Sequence, residues 1–167
     1  MRLSETSLGS KVVVIGLGII GQLVCRLAEA QGSEVIGIDP DTKRTDLSAN
    51  FYTSVEEANM TNVDSVIITA ATSSNEPIEV ATKIARNKAK IVVVGDIPLN
   101  ISRNDFYYKE LELVVSKSYG PGRYDKQYEI LGKDYPIEYV RWTENRNFEA
   151  FIKLLSQNQI HCLLYTS

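Results

Sequence analysis

"VVVIGLGIIGQLVCRLAEAQGSEVIGID", Val12 to Asp39, is the stretch whose reading decides the fold. Its opening, with Lys11, is the run "KVVVIG" (11–16), β-branched and apolar. Such a run reads as a strand buried on both faces. From Ile19 to Gln31 the pattern turns helical, with Ile20, Val24, Leu27 and Ala28 at three- and four-residue steps on one expected buried face, and Gly32 as the stop. "EVIGI" (34–38) is a second strand, and it runs into an acid, Asp39. Between strand and helix stand Gly16, Gly18 and Gly21. Gly16 permits a tight turn, Gly18 lets a pyrophosphate approach the backbone, and Gly21 lets the helix pack closely on the sheet. The first helical amides, those of Ile19 and Ile20, are then free to meet phosphate oxygens at the positive end of the helix. Asp39 follows Gly21 at the spacing of a carboxylate that accepts hydrogen bonds from an adenosine ribose and repels a 2′-phosphate. The pattern therefore predicts a dinucleotide site, with NAD preferred over NADP. Lys43 and Arg44 follow closely and lie within reach of a 2′-phosphate.

Working outward, "NFYT" holds a short third strand and "SVEEANM" one or two helical turns capped by Ser54. "DSVIITA" (64–70) is a fourth strand. "SNEPIEVATKIARNK" (74–88) is a helix burying Ile78, Ala81, Ile84 and Ala85, and "KIVVVGD" (90–96) and "ELELVVSKS" (110–118) are the fifth and sixth strands. Alternating strands and helices imply a parallel, doubly wound α/β sheet. Ligands of such sheets bind beyond the carboxyl ends of the strands where strand order reverses. This points to Thr69, Ala70, Ala71 and Thr72 after the fourth strand and to Gly95 and Asp96 after the fifth, with Ala70 and Gly95 the candidates for cofactor contact.

The last third changes character. Seven of the nine tyrosines lie between Tyr107 and Tyr139. Residues 118–142 carry Gly-Pro-Gly and no clear periodicity, and read as an irregular excursion that lines a substrate site or covers a protein interface. "TENRNFEAFIKLLSQ" (143–157) is a helix with Thr143 as cap and Phe148, Phe151, Ile152 and Leu155 as its apolar face.

The 167 residues suit one domain, and the net charge of −3 offers no basic footprint for nucleic acid. No run is long and apolar enough to span a membrane. Two distant cysteines, Cys25 and Cys162, form no disulfide framework, so a cytoplasmic setting is expected. With a single histidine, His161, a Cys/His zinc site is not expected within this chain.

"GSKVVVIGLGIIGQLVCRLAEAQGSEVIGID", "VDSVIITAAT", "KIVVVGD", "ELELVVSKSYG" and "NFEAFIKLLSQNQI" resemble, in that order, the coenzyme domain of medium-chain, zinc-type alcohol dehydrogenases. "SYGPGRYDKQYEILGKDYPIEYVRWTENRN" resembles a segment of the bi-domain oxidoreductase branch. The resemblance implies a Rossmann sheet in order 3-2-1-4-5-6. It also implies a homodimer joined through the edge strand at 111–116, and hydride transfer to or from an alcohol, aldehyde or sugar. It implies catalytic zinc ligands in a separate domain that this chain does not contain, so no catalytic residue is assigned and the chain alone is expected to be inactive. Residues 1–9 correspond to the tail of a connecting helix, 10–160 to the nucleotide domain with an insert at 119–142, and 161–167 to the return toward the catalytic domain. The alternative is a nucleotide-sensing regulatory module of the potassium-transport type, which shares the strand, glycine turn, helix and acid. Such a module has no need of the tyrosine-rich excursion.

Overall fold

The computed structural model describes residues 1–46, 48 and 50–160. In chain order the elements are β1 (Lys11–Ile15), α1 (Ile19–Ala30), β2 (Glu34–Ile38), α2 (Thr42–Thr45), β3 (Phe51–Tyr52), α3 (Val55–Ala58), β4 (Val63–Ile68), α4 (Glu76–Ile84), β5 (Ala85–Val93), α5 (Arg103–Lys109), β6 (Glu112–Val115), α6 (Lys126–Glu129) and α7 (Glu144–Ser156). The six strands form one parallel sheet in the order β3-β2-β1-β4-β5-β6. This is the doubly wound Rossmann order. The chain divides into two compact units, Met1–Val115 and a second beginning at Ser116.

The strand period of two sorts the first unit's core into two layers. Val13, Ile15, Ile36, Val66, Ile68, Ile91 and Val93 point to one face, where Ile78, Ala81 and Ile84 of α4 pack. Val12, Val14, Val35, Ile67 and Val92 point to the other, against Val24, Cys25 and Ala28 of α1. Val12, Val13 and Val14 have no exposed surface at all. Each such side chain contributes about 1.5–3 kcal/mol relative to leaving it in water. A strand buried on both faces is thus what holds β1, and the glycine turn that follows it, in place.

Several local readings are corrected. Ile20 is 54% exposed. The buried side of α1 is Gly21, Gln22, Val24, Cys25 and Ala28, because the first helical turn lies past the end of β1. The helix read over 74–88 stops at Ile84, and β5 begins at Ala85, which is extended (ψ 137°) and pairs with Val63. Lys109 closes that helix end by donating from Nζ to the carbonyls of Thr82, Lys83 and Ala85 at 2.7, 3.0 and 2.9 Å. The polar run Arg86–Lys88 had carried the helical pattern too far. Helix α5 carried no periodic signal because none of its residues is buried. Thr143 precedes α7, but its hydroxyl makes no capping bond; it is buried without a partner. On α7, Phe148 and Ile152 are exposed, and no residue of the helix is buried.

Within the unit beginning at Ser116, polar ties join the described residues. The Tyr119 hydroxyl, Arg123 and the Tyr124 amide all donate to Glu129 Oε1. The Tyr135 hydroxyl donates to Asp125, and Arg146 donates to the carbonyls of Tyr135 and Val140. Tyr128 and Tyr135 stack with ring centroids 5.8 Å apart. His161, Cys162 and the segment 161–167 lie outside the described residues.

Candidate functional site

The site grows from the way the chain leaves β1. Gly16 has φ +97°, where only glycine is at ease, and a Cβ there would stand 2.5 Å from the Ala70 nitrogen. The turn is therefore pressed against the end of β4. Thr69 locks it, donating from Oγ1 to the Gly16 carbonyl at 2.6 Å. At Gly21 a Cβ would lie 1.8 Å from the Gly16 oxygen, so α1 rests backbone on backbone against its own turn. Gly18 is different. It is the N-cap of α1, with φ −63°, and a Cβ there would meet nothing within 4 Å. The first intrahelical bond into this cap is Gln22 N to Gly18 O at 3.0 Å. The amides of Ile19 and Ile20 precede it, at the end of a 12-residue helix, with no intrahelical acceptor. Open space above a glycine, beside unfulfilled amides at a positive helix end, fits an anion.

Asp39 sits at the end of β2 and is 3% exposed. Its Oδ2 accepts from the Leu17 amide at 2.7 Å and from Arg44 Nη1 at 3.0 Å, and its Oδ1 accepts from the Asp41 amide at 2.9 Å. A carboxylate offers about four lone-pair sites. Three donors already use this one. Asp39 thus ties the glycine turn (through Leu17) to the end of β2, a role its sequence position did not disclose. Arg44 comes to it from α2, the single turn capped by Asp41 through the Lys43 amide.

The ends of β4 and β5 repeat one motif. Thr69 and Ala70 both donate their amides to Ile15 O, and Val94 and Gly95 both donate to Ile68 O. A Cβ at Gly95 would stand 1.9 Å from the Ala70 oxygen. The smallness of Gly95 is thus demanded by its packing on the Ala70 main chain. The eight residues singled out for cofactor binding (Gly16, Gly18, Ile19, Ile20, Gly21, Asp39, Ala70 and Gly95) all lie at the carboxyl ends of β1, β2, β4 and β5 or on the turn of helix that follows. Asp96 is there too, with its carbonyl accepting from the Thr72 amide at 3.0 Å. Cys25 lies in the core under α1, where burial pushes its thiol up to about 12, so it is no nucleophile. Surface clefts bounded by Thr82, Tyr108 and Lys109, and by Tyr128, Asp134 and Asn145, share no residue with the glycine turn. Among the described residues no three His, Cys, Asp or Glu side chains come together to hold a metal ion, and no helix is long and apolar enough to cross a membrane.

Residues 2–106 match the family of the D-isomer specific 2-hydroxyacid dehydrogenase, NAD binding domain. The chain is 28% identical, over 151 residues, to 2-dehydro-3-deoxy-L-galactonate 5-dehydrogenase of Pseudoalteromonas atlantica, covering 78% of this chain and 42% of that protein. Among solved structures, one from Sinorhizobium meliloti, described as a zinc-binding dehydrogenase bound to NADP, is 26% identical with a TM-score of 0.60, over 69% of this chain and 39% of that one. The 2R,3R-butanediol dehydrogenase of Bacillus subtilis is 21% identical with a TM-score of 0.59, over 71% and 38%. The chain thus spans about two fifths of the length of these relatives. The family match and the relatives name different dehydrogenases. The match ends at residue 106, before β6, and so covers the dinucleotide-binding core common to both. The chain therefore belongs, by that core, to the family of D-isomer specific 2-hydroxyacid dehydrogenase NAD-binding domains, and its structural neighbours are zinc-type, medium-chain alcohol dehydrogenases.

Proposed function

We propose that this chain is the NAD(P)-binding part of an alcohol-dehydrogenase-like oxidoreductase that moves hydride to or from an alcohol, aldehyde or sugar. The observation that carries the reading is the open space over Gly18, the N-cap of α1, beside first-turn amides that helix geometry leaves without an intrahelical acceptor. In this reading the pyrophosphate rests on the amides of Ile19 and Ile20, with Gly16 and Gly21 holding the turn. The adenosine ribose meets Asp39, and Ala70 and Gly95 bound the nicotinamide side. NAD is preferred, because a buried carboxylate opposes a 2′-phosphate. Arg44 moderates that preference: its guanidinium already lies on Asp39 and offsets the charge.

Hydride transfer also needs the substrate oxygen polarised as charge develops. The described residues do not fit a zinc ion, since none of them form a ligand cluster. The polarising group then comes from outside them, and this chain by itself is expected to bind cofactor without turnover. The edge strand β6, with Val115 55% exposed, pairs with its copy across a two-fold axis to give a homodimer.

Calorimetric titration with NAD(H) and NADP(H) tests the reading. Binding of either, tighter for NAD(H), is expected. Absence of binding by both, from a folded protein, refutes it. Robust oxidation of alcohols or sugars by the chain alone refutes the assignment of the polarising group.

A further inference from the structure

Asn75 occupies the N-cap position of α4, where asparagine ordinarily stabilises a helix through its side-chain oxygen. Here the side chain makes no capping bond. The neighbouring Ser74 hydroxyl instead accepts from the Glu76 amide, at 3.1 Å. The Asn75 carboxamide is turned toward the segment after β5. Its oxygen accepts from the Asn100 amide at 3.1 Å, and its Nδ2 donates to the Asn100 carbonyl at 3.0 Å and to Glu79 Oε1 at 3.1 Å. One side chain thus pairs with both main-chain groups of one residue, as a neighbouring strand would. A second tie runs alongside, from the Thr72 amide to the Asp96 carbonyl at 3.0 Å. Ile97, buried in the α4-side core, pins the segment from beneath. Residues 94–101 are thereby fastened at three points, while Val94, Leu99 and Ile101 remain 38, 42 and 42% exposed.

This fastened segment follows β5. In a doubly wound sheet the dinucleotide lies across the reversal of strand order, with one nucleotide half over β1–β3 and the other over β4–β6. The glycine turn and Asp39 belong to the first half, and residues 69–72 and 94–101 form the rim of the second. A capping residue diverted from its local task to hold a rim is a local rule broken at a functional place. We propose that Asn75 is a positioning residue for the nicotinamide half of the dinucleotide: it sets the height of the 94–101 rim by pairing with the main chain of Asn100. The proposal rests on the dinucleotide reading above.

The test compares NADH with ADP-ribose, which lacks the nicotinamide, by calorimetry on the full 167-residue chain. Asn75→Ala removes both bonds to Asn100 and is expected to weaken NADH about tenfold while leaving ADP-ribose within about twofold. Asn75→Asp keeps the acceptor for the Asn100 amide and loses the donor, so its NADH affinity falls between the two; it serves where the alanine variant folds poorly. Equal loss of both ligands in the Asn75 variants marks a purely structural residue and overturns the proposal, as does unchanged NADH binding. A parent chain that binds neither ligand brings down the dinucleotide reading and this inference with it. A parent that binds ADP-ribose, with NADH insensitive to Asn75, brings down the inference alone.

Discussion

Replacing Gly18 and Gly21 separately by alanine divides what the glycine turn does for folding from what it does for binding. At Gly18 the backbone has φ −63° and ψ −176°, which any residue adopts, and a methyl group there meets nothing within 4 Å. The fold therefore tolerates Gly18→Ala: reduced freedom of the unfolded chain contributes about 0.4–1 kcal/mol in its favour, and the poorer N-cap preference of alanine offsets it by a similar amount. For a chain of this size Tm should move by no more than roughly 1–4 °C. The same methyl group projects into the space assigned to the pyrophosphate, and nucleotide affinity should fall at least about tenfold, or about 1.4 kcal/mol. At Gly21 the methyl carbon would be 1.8 Å from the Gly16 oxygen and 2.8 Å from Thr69 Oγ1. Ordinary contact requires about 3.5 Å, so α1 must retreat by well over an ångström from its own turn. Overpacking of that kind costs about 1–3 kcal/mol or more, a fall in Tm of roughly 2–12 °C. Thermal melts and NADH titrations of the two variants read both effects. A Gly18→Ala protein that binds NADH like its parent would show that no phosphate rests on this turn. A Gly21→Ala protein with an unchanged melt would refute the packing argument.

Three further outcomes follow from particular contacts. Asp39→Asn should lower stability by about 2–3 kcal/mol, since the carboxylate serves two amides and a guanidinium, and it should narrow the gap between NADH and NADPH affinity; an unchanged melt counts against the tie between Leu17 and β2. Val115→Lys should convert the proposed dimer to monomer with the melt of the monomer intact, and light scattering that shows the same mass for both proteins excludes pairing through β6. Hydrogen bonds from the Tyr119 phenol, the Tyr124 amide and Arg123 hold the Glu129 carboxyl below its usual range, and the Tyr135 phenol and the Gln127 amide do the same for Asp125. Groups with depressed folded values stabilise above the ordinary carboxylate range and lose that contribution as pH falls through the folded values. Tyrosine near-UV circular dichroism of the second unit should therefore fade below about pH 4, and a profile unmoved by Glu129→Gln would refute the assignment.

Much of the fold was open to reading from periodicity. β1, β2, β4 and α1 are long, strongly patterned and buried, so the side chains that make their core are the same ones that make their pattern. The carboxyl-end location of the eight site candidates followed from the alternation of strand and helix. The second unit resisted such reading. Its tyrosines, arginines and carboxylates are joined by hydrogen bonds between residues six to eleven positions apart, and such ties impose no period on the sequence. The end of α4 is not legible in the sequence because Ala85 satisfies helical spacing and strand burial equally well, and only the partner strand decides between them.

The sequence alone determined that β1 is buried on both faces, that a glycine turn joins it to α1 and that an acid ends β2, since each depends on residue type and spacing along the chain. Tertiary structure decided what those residues touch. It placed Arg44 on Asp39, Thr69 on the Gly16 carbonyl and Asn75 on the main chain of Asn100, contacts spanning 5, 53 and 25 residues. It also separated three similar glycines into one that must turn, one that must pack and one with open space above it. Local sequence limits the conformations a residue can adopt, but the neighbours that make a glycine indispensable, or divert an asparagine from its cap, arrive from distant parts of the chain only when the sheet assembles.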